Sequence, residues 1–323
     1  MCTATRWLTK GASIALALCL FLPSRTTPAE ESVWQKAIRE AIHVREQGRY
    51  AEAEHAQLLA LTEAEEFGPE DRRLALSLNN LAALYHATGR LREAEPLYRR
   101  ALVIWEKDSE RLEVASVLSN LVRLCLDQEK YVEVEPLSKR ALAIAQGLAP
   151  KHPEVANSLN NLADLYTIQG HYAQAEPLYR QALAILEENF GPEDSEVAYG
   201  LSHLAKLSVI QARYAEAEAM HRRAIAILQK NPGQKGSSLA SSLNNLADLV
   251  LDQGRNAEAQ ALYQQAQTIW EGILGAGHPN VALCLSNRAR LLKRQGRLAE
   301  AEPLYQQALE NQRICSNQSH LPF

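Results

Sequence analysis

Aromatic residues make up only 6% of the 323-residue chain, with four Phe, and there are just two Met. The apolar 46% is therefore mostly Ala and Leu, which favours thin helical layers over one thick globular core. Neither sign of charge is in excess. Lys and Arg number 34 against 38 Asp and Glu, a net −4, so nothing suggests the basic face of a nucleic-acid binder. Five Cys with no CxxC and no Cys/His ligand spacing argue against a disulfide scaffold and a zinc site. HExxH, GxSxG, GxxxxGK[ST] and a strand-borne GxGxxG are all missing. The nine His are scattered: His152 and His278 fall in connectors, while His86, His203 and His221 fall on different helix faces. The acidic pairs Glu187-Glu188 and Glu193-Asp194 read as solvated charge at a helix end and a loop. The chain therefore reads as a non-enzyme with no cofactor and no metal.

Long apolar runs are also scarce. One apolar, uncharged run, GASIALALCLFL from Gly11 to Leu22, follows Arg6 and Lys10 and precedes Pro23, with small Thr27, Pro28 and Ala29 before Glu30. That order is the layout of a secretory signal peptide over residues 1–29. Its twelve residues fall short of the roughly 20 that span a bilayer as a helix. The expectation is an exported chain, periplasmic or secreted if the host is bacterial, with no transmembrane segment after signal removal. An uncleaved amphiphilic tail or short anchor is the alternative. Cys2 and Cys19 leave with the signal, and Cys125 and Cys284 read as small packing residues on helices.

What is abundant is repetition. Glu93-Ala94-Glu95-Pro96-Leu97-Tyr98 returns with variation, and its central residues 53, 94, 134, 175, 217, 259 and 301 are spaced by 41, 40, 41, 42, 42 and 42. A second phrase keeps step with it: Leu78-Asn79-Asn80-Leu81-Ala82, Leu159-Asn160-Asn161-Leu162-Ala163 and Leu243-Asn244-Asn245-Leu246-Ala247. Leu78, Leu81, Ala82 and Tyr85, and after a break at Gly89-Arg90 Leu97, Ala101, Leu102 and Trp105, carry the helical period, so each unit is a helical hairpin. Gly48, Gly89, Gly170, Gly254 and Gly296 suit a helix end at positive φ, whereas the third unit has Glu129-Lys130 there. Helices of about fourteen residues are marginal alone, so the hairpins must stack. The period places seven units over residues 30–314, after the signal and before a tail at 315–323.

The combination Leu-Asn-Asn-Leu-Ala, Gly-Arg or Gly-His, Tyr172-Ala173-Gln174-Ala175-Glu176, Ala182-Leu183 and His278-Pro279-Asn280-Val281-Ala282 resembles the tetratricopeptide repeat family, in its longer kinesin-light-chain type. The resemblance implies an all-α fold, a right-handed superhelical solenoid of about seven helix-turn-helix units whose first helices line a concave peptide-binding groove. Glu40 and Arg288 replace the Leu found at 81, 121, 162, 204 and 246, so units one and seven are expected to be degenerate end caps. No heptad run precedes Ser32, so a motor subunit is not implied.

On the first helices, two columns lie about a quarter turn from the Leu stripe. The first is Asn79, Ser119, Asn160, Ser202, Asn244 and Ser286, uncharged groups able to hold a peptide backbone. The second is Ala83, Arg123, Asp164, Lys206, Asp248 and Arg290, alternating in sign, which either selects a ligand or pairs between repeats. The neighbouring Asn80, Asn120, Asn161, Asn245 and Asn287 are expected to bond the adjacent repeat. The expected function is a non-enzymatic scaffold with a protein or peptide partner in this groove. The alternative is a structural module of an envelope complex acting through its convex face or ends.

Overall fold

The computed structural model describes residues 32–46, 49–108, 111–230 and 236–318. Among them the chain forms fourteen α-helices paired into seven hairpins. These are α1 (Val33–Glu46) with α2 (Tyr50–Glu65), α3 (Arg72–Ala87) with α4 (Leu91–Asp108), and α5 (Arg111–Asp127) with α6 (Tyr131–Leu148). There follow α7 (Pro153–Ile168) with α8 (Tyr172–Phe190), α9 (Ser195–Ile210) with α10 (Tyr214–Lys230), α11 (Gly236–Asp252) with α12 (Asn256–Leu274), and α13 (Pro279–Arg294) with α14 (Leu298–Gln318). Each repeat read from the sequence is one hairpin, and the last helix runs to Gln318, past the end expected at 314. The expected signal segment 1–29 and Gly48 lie outside the described residues. No described helix is long and apolar enough to cross a membrane.

One turn geometry serves every hairpin. The backbone N–H of Arg90 reaches back to the Tyr85 carbonyl, and Arg49, Lys130, His171, Arg213, Arg255 and Arg297 bond Val44, Cys125, Tyr166, Ser208, Val250 and Leu292 in the same way. This bond requires the residue before it to take the left-handed conformation. Gly89 does so at φ 82°, and in the third and fifth hairpins Glu129 and Ala212 are held there at φ 59°. The sequence marks the third of these as a departure, yet the turn is conformationally unchanged.

Two chemistries start the first helices. Asp71 and Asp194 accept the backbone N–H of Arg73 and Glu196, as N-capping carboxylates do. His152 and His278 do the same through Nδ1, with a proline as the first helical residue.

Leu78, Leu118, Leu159, Leu201, Leu243 and Leu285 are all at most 3% exposed. Each contributes on the order of 1.5–3 kcal/mol of burial. The facing Ala82, Ala163, Ala205, Ala247 and Ala289 are fully buried and let the helices approach closely. Cys125 and Cys284 are buried and unbridged, as packing residues are; burial pushes their thiols up to about 11 and about 12.

The chain divides into two compact units. One runs to Asn189 and holds α1–α8, where Trp34, Tyr98, Trp105 and the Leu stripe form a continuous apolar cluster. The other begins at Phe190 and holds α9–α14, built around Tyr263 and Trp270. Within each, ion pairs tie successive second helices: Arg90 to Glu54 and Lys130 to Glu95, both at 2.6 Å, and Arg255 to Glu218 at 2.8 Å. Being half-exposed, such pairs add at most about 1 kcal/mol each.

Candidate first-helix recognition face

The first column lies deeper than a free groove wall. Asn79, Ser119, Asn160 and Asn244 are only 8%, 5%, 1% and 2% exposed. Ser202 and Ser286, half-buried, turn their hydroxyls onto their own helix, donating to the carbonyls of Ala198 at 2.9 Å and Ala282 at 3.0 Å. The expectation that these side chains stand open to a ligand is therefore corrected for the four buried ones. Small residues on the packed faces bring neighbouring first helices close enough to enclose them.

Three of the five adjacent asparagines, Asn120, Asn161 and Asn287, join one repeat to the one before, as expected. Asn120 Nδ2 donates to Asn79 Oδ1 at 3.1 Å, and Asn287 Nδ2 to Asn244 Oδ1 at 3.1 Å. Asn161 Nδ2 donates instead to the backbone carbonyl of Ser119 at 3.2 Å, because serine offers no amide oxygen there. These bonds form an asparagine ladder. It breaks at two places, where both amide atoms of Asn80 and of Asn160 are buried with no hydrogen-bond partner. One repeat before Asn79 the sequence has the apolar Ile38, which offers no side-chain acceptor.

The second column is paired where its partners can be seen. Arg290 Nη2 bonds Asp248 Oδ1, so the ladder of ion pairs between repeats exists at this step. A tyrosine from the second helix of the same hairpin also reaches each acid. Tyr263 donates its hydroxyl to Asp248 and Tyr179 to Asp164, both at 2.5 Å. Burial pushes the Asp248 carboxyl up to about 6, against the pull of Arg290 and the Tyr263 hydroxyl. In the fifth hairpin Lys206 and His221 stand at that same spacing instead of Asp and Tyr. Burial, helped by the Lys206 charge, pushes the His221 imidazole down to about 3, so it stays neutral. Arg123 stands in this column on α5, half-buried.

Sequence reading missed the tyrosines. Their signal was present in the fixed spacing of 15 residues between Asp164 and Tyr179 and between Asp248 and Tyr263. It also missed Ser119 donating to the buried carboxyl group of Glu154 at 2.5 Å. Among the described residues, no group of three or more His, Cys, Asp or Glu could hold a metal ion.

The tetratricopeptide repeat family profile matches residues 37–107, 113–188, 196–266 and 238–314. The chain belongs to the tetratricopeptide repeat family. No curated protein matches it. Among solved structures it is similar to the nearly identical kinesin light chain TPR-like repeats of Podosopora anserina. There the identity is 23% and the TM-score 0.51, over 64% of this chain and 98% of that one. It is also similar to a Rap protein complexed with Competence and Sporulation Factor, at 16% identity and TM-score 0.70, over 88% of this chain and 76% of that one. The Rap conjugation gene regulator of plasmid pLS20, solved with the Phr* peptide, gives 13% identity and TM-score 0.69, over 90% and 76%. At these identities the similarity is one of fold.

Proposed function

We propose that this chain is an exported, non-enzymatic interaction scaffold that takes an extended peptide, or a helix of a partner protein, against its first-helix face. The observation that carries this reading is Asn160. Its amide is 1% exposed and has no partner, at a position where Asn79 and Asn244 are used within the protein. A buried amide without partners costs about 1–3 kcal/mol, which a ligand backbone offering one carbonyl and one N–H would relieve. Turning this side chain outward forfeits no hydrogen bond, whereas turning Asn244 outward breaks the ladder. Asp164, with Arg123 in the same compact unit, would then bias which ligand side chains fit. Ser202 and Ser286, half-buried with their hydroxyl protons turned onto their own helices, offer lone pairs. The pLS20 regulator of similar fold was solved with a peptide, which agrees with this class of partner. Export rests on the order of basic, apolar and small residues before Glu30.

The test is partner affinity of Asn160→Ala beside intact protein, with thermal unfolding of both. Affinity should fall roughly tenfold with no loss of stability. Unchanged affinity in a folded variant rejects the first-helix face. A second reading, assembly through the outer faces, has one observation behind it. Val132 is 92% exposed and, with Tyr131, Glu135, Pro136, Lys139 and Gln169, lines a cavity of about 480 Å³. Loss of partner capture in Val132→Glu, with Asn160→Ala unaffected, would select it.

A further inference from the structure

The start of α7 holds two titratable groups that peptide binding does not use. His152 caps the helix: its backbone is extended at φ −66° and ψ 144°, and its Nδ1 accepts the backbone N–H of Glu154 at 3.1 Å. An imidazole nitrogen can accept only while it carries no proton. The Glu154 side chain turns inward and is 3% exposed. There the Ser119 hydroxyl of α5 donates to its Oε1 at 2.5 Å, and the Asn157 amide lies 3.4 Å from Oε2. Ser119 is in turn 3.3 Å from the Ser158 hydroxyl, so every group facing this carboxyl is uncharged. A buried carboxyl with neutral neighbours and no cation keeps its proton.

The flanking Lys151 pairs with Glu188 of α8 at 2.6 Å. Burial alone pushes His152 down; it pushes Glu154 up to about 7, with the Ser119 and Asn157 hydrogen bonds opposing it. The closed helix start thus has a proton on Glu154 and none on His152 Nδ1, the imidazole being neutral.

We propose that opening of the α7 start releases a proton from Glu154 and takes one up on His152, so that hairpin 4 stays docked on hairpin 3 with little dependence on pH across the weakly acidic range. The two linkages run in opposite directions. Glu154 contributes fully below its unfolded value near 4.5 and loses that contribution as pH rises through about 7. His152 contributes fully above its unfolded value near 6.5 and loses its share as pH falls. Just below pH 6.5 the two contributions change in opposite directions and offset each other.

The experiment is amide hydrogen exchange of the full chain at Val155 to Leu159, corrected for intrinsic rates, between pH 5 and 6.5. It needs no partner, so it stands or falls apart from peptide binding. The intact protein should change less than about threefold across this range. Glu154→Gln, which keeps an uncharged acceptor for Ser119, should open more as pH falls, by up to about tenfold per unit. His152→Asp, which supplies the cap found at Asp71 and Asp194, should open less as pH falls, by a similar factor. The double variant should be flat again. A Glu154→Gln profile that parallels the intact protein overturns the proposal, as does a steep profile in the intact protein itself. If Glu154→Gln fails to hold α7, His152→Asp decides alone, and a flat profile there overturns it.

Discussion

Asn160 and Asn244 stand at the same repeat position, inside the same Leu-Asn-Asn-Leu-Ala phrase, and both are almost fully buried. Asn244 accepts from Asn287 and lies 3.4 Å from Asp248, which itself holds Tyr263 and Arg290. Asn160 has no partner for either amide atom. Identical local sequence therefore leaves the role of the side chain open. A satisfied amide is part of the protein's own packing. An orphaned one is a cost that the fold carries and that a ligand could remove.

The sharpest way to break this contrast is at the hub of the satisfied side. Asp248→Ala should destabilise the second compact unit by about 2–3 kcal/mol, because it strands the Arg290 guanidinium and the Tyr263 hydroxyl together. The figure is set below that of a fully buried pair because the Arg290 side chain remains 33% exposed. Urea unfolding checks it, and a change under about 0.5 kcal/mol would mean that water already screens the pair.

The two asparagines themselves should respond with opposite sign. Asn244→Ala removes an acceptor and leaves the buried Asn287 amide unmatched, for a loss of about 1–2 kcal/mol. Asn160→Ala removes two unmet polar atoms and substitutes the better helix former, so stability should hold or rise by up to about 1 kcal/mol. Parallel urea titrations of the two variants decide this. Equal losses would show that Asn160 is satisfied in solution and would take away the observation on which the peptide-binding face rests.

Much of the architecture was legible because the repeat fixes it many times over. Leu78 and its five equivalents, the Ala columns and the helix breaks near Gly89 each recur in register, and the hairpins follow them. The candidate face was legible only in part. Helical geometry tells which residues share a stripe, as with Asn79 and Asn160, but burial depends on how closely two first helices approach. Pairings such as Asn120 with Asn79 and Arg290 with Asp248 cross about one repeat, 41 and 42 residues, so no local window contains both partners. His152 looked like loop chemistry because its capping role rests on a backbone conformation that composition does not reveal. Glu154, adjacent to it, carries a charge by sequence and is enclosed by a serine from the preceding hairpin.

The smallest effect concerns the turns, where the same comparison of like positions can be made without any ligand. Glu129 and Ala212 occupy the left-handed position that Gly89, Gly170, Gly254 and Gly296 take elsewhere. A side chain there costs roughly 1–2 kcal/mol of backbone strain. Replacing it by glycine also frees the unfolded chain, which returns about 0.4–1 kcal/mol of that gain. Glu129→Gly and Ala212→Gly should each therefore stabilise the protein by a net of about 0.5–1 kcal/mol. The reverse change, Gly89→Ala, should cost a similar amount, and for backbone reasons alone, since a Cβ added at Gly89 meets nothing within 4 Å. Thermal unfolding of the three variants tests the set. A loss in Glu129→Gly would mean that the Glu129 side chain contributes more to the third hairpin than its backbone strain takes away.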